Sequence, residues 1–182
     1  MQRCWCAAFA WLVLAGCGGL NLDEQAPTGF DLQGTWVLDE AASDPLPNFR
    51  SIGATVDDIV GRQPTRAERR RLRGGGLAFV GHDFPVLAAK RMVVEQNADS
   101  MGIDHNPGGY RDLTWGERER GLWTIHAGWE DGVLVVYSRA DDAKALERYS
   151  LPSANRLRVQ VTIDSGSDEI DLIREFRRSR RR

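Results

Sequence analysis

Beyond residue 17 the sequence contains no cysteine; its three are Cys4, Cys6 and Cys17. Everything downstream therefore lacks a disulfide framework, a thiolate metal site and a thiol nucleophile. Histidine is nearly as scarce. His82, His105 and His126 are the only three, and no two have the spacing of metal ligands on one helix. No Gly-x-Ser-x-Gly nucleophile elbow, glycine-rich phosphate loop or zincin pair occurs. Asp164-Ser165-Gly166-Ser167-Asp168 reads as a turn, with too few convergent oxygens for calcium. The expectation is a protein with no catalytic residue, no metal and no cofactor. Charge of one sign is lacking too: 24 basic against 26 acidic residues leave a formal net charge of -2, which argues against a nucleic-acid partner.

The chain has 182 residues, of which 42% are hydrophobic and 27% charged. That is the size and balance of one soluble globular domain, able to bury roughly 70% of its unfolded surface. The first 16 residues are set apart. Arg3 precedes "CWCAAFAWLVLAG", an apolar run too short and wrongly flanked for a spanning helix but suited to a signal peptide. The run ends in Leu14-Ala15-Gly16-Cys17, which resembles the lipobox of bacterial lipoproteins. The resemblance implies cleavage before Cys17, diacylation of its thiol and acylation of its amine by a fatty acid such as palmitate. Several acyl chains hold a membrane far more firmly than one. Gly18, where an aspartate would mark inner-membrane retention in the enterobacterial pattern, implies the outer membrane, with the domain in the periplasm.

Residues 17–29 follow as an acylated, Gly- and Pro-bearing tether without periodicity. The domain proper is expected over 30–178, with a basic tail at 179–182. "FDLQGTWVLDE" opens it by alternation: Phe30, Leu32, Gly34, Trp36 and Leu38 share one face. An insertion spans 40–89. Thr55-Val56-Asp57-Asp58 caps one short helix, Pro64 breaks it, and the capping box Thr65-Arg66-Ala67-Glu68 opens a second that stops at Gly74-Gly75-Gly76. From Lys90 onward strands and turns alternate. Asp131-Gly132 between two apolar runs predicts a hairpin. In "RLRVQVTI", Leu157, Val159, Val161 and Ile163 oppose Arg156, Arg158, Gln160 and Thr162, the pattern of a sheet buried on one face and wet on the other. The total predicts an all-β, antiparallel, up-and-down barrel of eight or nine strands, with a helical insertion after the first. Eight strands enclose packed side chains or one small ligand.

Gly34-x-Trp36 at the head of such a meander, with "WEDGVLVV" and the terminal "IREFRR", is similar to the lipocalins and the wider calycin group across 30–178. That resemblance implies that Trp36 plugs one end of the barrel. It also implies that Gly34 admits a close approach and that an arginine of the last strand packs on the indole. Arg178 is the first candidate, with Arg174 and Arg177 the alternatives. It further implies a non-catalytic protein that binds or shuttles a hydrophobic small molecule or lipid in the cell envelope.

Tyr110, Trp115, Trp123, His126, Trp129 and Tyr137 fall in neighbouring strands as candidate ligand-binding residues; the competing reading has the aromatics simply filling the core. Arg66, Arg69, Arg70 and Arg73 in the insertion are candidates for contact with anionic lipid, against a merely solvated helix face. The alternative function follows from these competing readings: a filled barrel acting as an envelope interaction module, touching anionic lipid or a protein partner through its arginines.

Overall fold

The computed structural model describes residues 20–46, 83–141, 143–165 and 169–179. Cys17 and the leader, both helices expected in the insertion with Arg66, Arg69, Arg70 and Arg73, and the end of the basic tail lie outside the described residues. Ten strands form one sheet: β1 (Gly34–Leu38), β2 (Arg91–Gln96), β3 (Ser100–Asn106), β4 (Gly109–Thr114), β5 (Gly116–Arg120), β6 (Trp123–Glu130), β7 (Val133–Arg139), β8 (Lys144–Ser153), β9 (Arg156–Asp164) and β10 (Glu169–Arg178). Every paired neighbour is antiparallel. The order is β4-β3-β2-β1-β10-β9-β8-β7-β6-β5, an up-and-down meander in which β10 returns to pair with β1.

The structure is an all-β, antiparallel, nearly closed barrel, with ten strands where eight or nine were expected. The uncounted strand is β5, "GERER", which has no apolar residue to alternate. Closure is also incomplete. β4 and β5 are the two edges of the sheet, joined through Trp115 alone and unpaired with each other. Side chains bridge them: Arg118 donates to the Asp112 carboxylate at 2.9 Å and to the Asp112 carbonyl.

Register defines the inner face, because partners across a ladder point the same way. Leu157, Val159, Val161 and Ile163 of β9 are fully buried. They carry Phe176, Arg174, Leu172 and Ile170 of β10 with them, and Tyr149, Glu147 and Ala145 of β8. The same logic places Leu134 and Val136 inward on β7, and Trp129, Ala127 and Ile125 on β6. The core is continuous around this face, from Trp36 and Met92 to Tyr149 and Phe176.

Both ends are covered. At the end holding the β2–β3, β4–β5, β6–β7 and β8–β9 turns, Leu32 and Trp36 are buried. Phe30 and Trp115 each meet Trp129 edge-on, at 4.4 and 5.5 Å between ring centroids. The segment before β1 crosses this end. Asp23 exchanges backbone hydrogen bonds with Trp129 at 2.9 and 2.7 Å, and Leu22 is buried. The expectation of a free tether over 17–29 is therefore corrected for 20–29: apolar Leu22 and the backbone of Asp23 find partners on the barrel, so this stretch is a strap. At the opposite end the last residues of the insertion fold inward, with Phe84, Val86, Leu87 and Ala89 buried and Phe84 edge-on to Trp123 at 5.4 Å.

Candidate functional site

The floor is built around Trp36. Its indole Nε1 donates to the Leu32 carbonyl at 2.8 Å, and the Arg178 guanidinium carbon lies 4.4 Å from its ring centroid. Arg178 pairs with Trp36 in the β1–β10 ladder. It also ties three backbone carbonyls: Asp31 at 2.7 Å, Ala154 at 2.9 Å, and Gln33. Gly34 has φ +123°, and a Cβ there would stand 3.4 Å from the Arg178 guanidinium, so this position suits glycine in both backbone and space. The two alternative arginines go elsewhere. Arg177 faces outward to Asp39 at 2.6 Å, and Arg174 faces inward on the row of Val159.

Of the six candidate ligand-binding residues, Trp115, Trp123 and Trp129 belong to the interior and its ends. Tyr110, His126 and Tyr137 do not. Tyr110 pairs with exposed Asp104 on the outer face and is itself exposed. His126 and Tyr137 pair with each other, and their neighbours Ile125, Ala127 and Val136 take the inner positions. A period of two forbids both sets from facing in.

The most unusual feature of the interior is a buried pair of opposite charges. Arg111 of β4 reaches across the barrel to Glu147 of β8 at 2.5 Å, with side chains 5% and 0% exposed. Glu147 also accepts from the Tyr149 hydroxyl at 2.7 Å. Burial opposes the Arg111 cation, yet the Glu147 charge, joined by Tyr149 and Asp83, raises its pKa above the ordinary arginine value. Burial, then the Glu147 charge, pushes the Tyr149 phenol well up, so it stays a neutral donor. Alternation on "YRDL" and "LERY" does place Arg111, Glu147 and Tyr149 with the apolar rows, but a charge at a core position is read more naturally as a register error than as a cross-barrel pair.

Four side-chain nitrogens among the described residues are buried without a partner: His105 Nε2, Arg118 Nε, Trp129 Nε1 and Arg174 Nε. All four belong to inner-face positions by register. His105 Nδ1 lies 3.2 Å from the Gly109 carbonyl; donating there makes Nε2 the acceptor. Burial, helped by the nearby Arg111 charge, lowers its pKa to about 4, so the imidazole is neutral at neutral pH. Arg174 donates once, to the Asp44 carbonyl at 2.8 Å. Its burial lowers its pKa against the opposing pull of Asp44 and Glu40. Among the described residues no group of three or more His, Cys, Asp or Glu side chains is gathered to hold a metal.

Fold and site together define a nearly closed antiparallel β-barrel with an apolar interior that carries a few buried polar groups. No family model matches the chain, and no curated protein matches it. Among solved structures it is similar to the fluorescent protein UnaG, wild type, at 16% identity over 81% of this chain and 97% of the other, with a TM-score of 0.48. A point mutant of UnaG gives 16% over 82% and 97%, with a TM-score of 0.49. A luciferase domain from the dinoflagellate Lingulodinium polyedrum gives 10% over 88% of this chain and 46% of the other, with a TM-score of 0.46. Likenesses of this degree pass no activity or ligand to this chain.

Proposed function

We propose that this protein is a lipid-anchored, lipocalin-like barrel that binds or shuttles a hydrophobic small molecule or lipid in the bacterial cell envelope, without catalytic activity. One observation carries the reading: all four buried nitrogens without partners belong to side chains at inner-face positions of the barrel. A buried polar atom left unmatched costs about 1–3 kcal/mol, and each such group calls for a partner. An interior that were only packing would have no reason to collect them on its concave face. A ligand with an apolar body and a few polar atoms supplies both the contact that the tryptophans and aliphatic rows offer and the hydrogen bonds these nitrogens lack. Its affinity comes mainly from burial, at about 25 cal/mol per Å² of apolar surface. Trp123 and Trp115 stand at opposite ends of that interior.

The anchor in this proposal is acylated Cys17, released from a signal peptide over 1–16 and sorted to the outer membrane. The rival, a filled barrel working as an interaction module, draws on the large side chains that are buried almost completely, Trp36, Phe84, Tyr149 and Phe176 among them. Native mass spectrometry of the full chain, purified in mild detergent from envelopes, separates the two. The binder is expected to carry a co-purified small molecule, or to take one up from an envelope lipid extract. Only unliganded protein after both treatments would leave the module as the function.

A further inference from the structure

β5 presents charge where a barrel strand ordinarily presents apolar side chains. Gly116, Arg118 and Arg120 pair with Ala127, Ile125 and Trp123 of the inner face, so all three positions face the interior side of the sheet. Arg111 comes to the same side from β4, on the row of Ile103. Buried Arg111, half-buried Arg118 and exposed Arg120 thus stand on the strands that flank the β4–β5 seam, where the ladder of the described strands is interrupted. Two have carboxylate partners: Arg111 has Glu147 at 2.5 Å, and Arg118 has Asp112 at 2.9 Å. Among the described residues Arg120 makes no salt bridge. Arg118 keeps Nε buried and unpartnered. Asp112 and Asp83 are the acids whose fields favour the Arg120 cation, while burial and then the charges of Arg111 and Arg118 disfavour it. Asp83 already accepts from the Trp123 indole at 3.0 Å. Glu119, the neighbouring acid on β5, faces out and accepts from Thr124 at 2.8 Å.

Like charges held together and incompletely neutralised draw an anion, and arginine forks suit the oxygens of a carboxylate or phosphate. Trp123 and Ile125 stand beside Arg120 and Arg118 across the β5–β6 ladder. The cations therefore border the apolar interior directly.

We propose that the β4–β5 seam is the head-group subsite of an anionic amphiphile: its acidic group seats on Arg120 and Arg118, and its hydrocarbon runs inward past Trp123 and Ile125. This deepens the binding function above and rests on it. Arg111 stands behind as a fixed positive charge already matched by Glu147. The seam has no backbone ladder to block it, so an acid group can sit between the strands while still meeting solvent at Arg120.

Isothermal titration of the purified full chain with dodecanoate, dodecyl phosphate and dodecanol tests this, because the three share a chain and differ in head group. At neutral pH the wild type is expected to bind at least one of the two anions about tenfold or more tighter than the alcohol. Which anion is preferred tells a carboxylate ligand from a phosphate one. Arg120→Gln should remove most of that preference by weakening the anions far more than the alcohol, and Arg120→Lys should restore part of it. Equal affinity for all three compounds would overturn the subsite and leave the binding function standing. Loss of the preference in Arg174→Gln but not in Arg120→Gln would move the acid to β10 and equally overturn it. No binding of any of the three would overturn the subsite, and the native mass spectra described above would then decide the binding function by themselves.

Discussion

At the scale of single residues, Glu147 is the side chain on which most depends. It is wholly buried and is the only partner among the described residues for two others, the Arg111 guanidinium and the Tyr149 hydroxyl. Removing one member of a buried pair strands the other charge, at about 3–5 kcal/mol. Glu147→Ala is therefore expected to lower unfolding stability by that amount in urea denaturation, and Glu147→Gln by less, because the amide still accepts from Arg111. A change within about 0.5 kcal/mol in Glu147→Ala would mean that water already solvates Arg111. The contact of Arg178 with Trp36 differs in kind. It is partly open to solvent, and its three hydrogen bonds to main-chain carbonyls fasten strand ends together around the indole.

At the scale of elements, the strap shows how a glycine can be placed by something distant in sequence. A Cβ on Gly128 would lie 2.6 Å from the Leu22 side chain and 2.7 Å from the Asp23 carbonyl. Gly128→Val should therefore lift the strap from β6. The expected result is lost hydrogen-exchange protection and new protease cleavage within residues 20–30, with stability down by about 1–3 kcal/mol and the barrel strands still protected. Cleavage unchanged from wild type would show that the strap is held elsewhere. The strap was not legible in the sequence. "GGLNLDEQAP" has the composition of a linker, and nothing local reveals that Leu22 docks against a glycine more than a hundred residues away. β9 was legible in full, because one of its faces is buried and the other wet. β5 was not, because alternation reports strands only through apolar side chains, and this edge strand turns arginines inward instead. The same limitation explains the candidate aromatics. Which face each occupies depends on register, and Tyr110, His126 and Tyr137 lie one step from inner positions.

The whole molecule couples its stability to acidity through His105. Its folded pKa of about 4 lies below the ordinary value of 6.5, so the unfolded chain takes up a proton first as pH falls. The contribution of His105 is complete above about pH 6.5 and is lost progressively as pH drops toward 4, by about 3 kcal/mol in all. Arg111 lies close enough to disfavour imidazolium. Urea midpoints measured from pH 7 to pH 4 should fall, and His105→Phe should fall less over the same range. Identical slopes for the two proteins would assign acid sensitivity to the carboxylates alone. The barrel class itself could be read from strand spacing and from the Gly34-x-Trp36 opening. The unpaired seam between β4 and β5 could not, since a meander written as a string of strands does not say which neighbours fail to zip.

The crossing of the floor by residues 20–30 also bears on how the molecule stands. Only Gly18 and Gly19 separate Cys17 from Leu20, and Leu22 is buried against the barrel, so if Cys17 is acylated as proposed, the five residue steps to Leu22 span about 18 Å at most. A domain so closely moored would rest on its base like a cup on a table, rim toward the aqueous space. Under the proposed anchoring and binding, cargo would then be exchanged across that space and not drawn from the leaflet below.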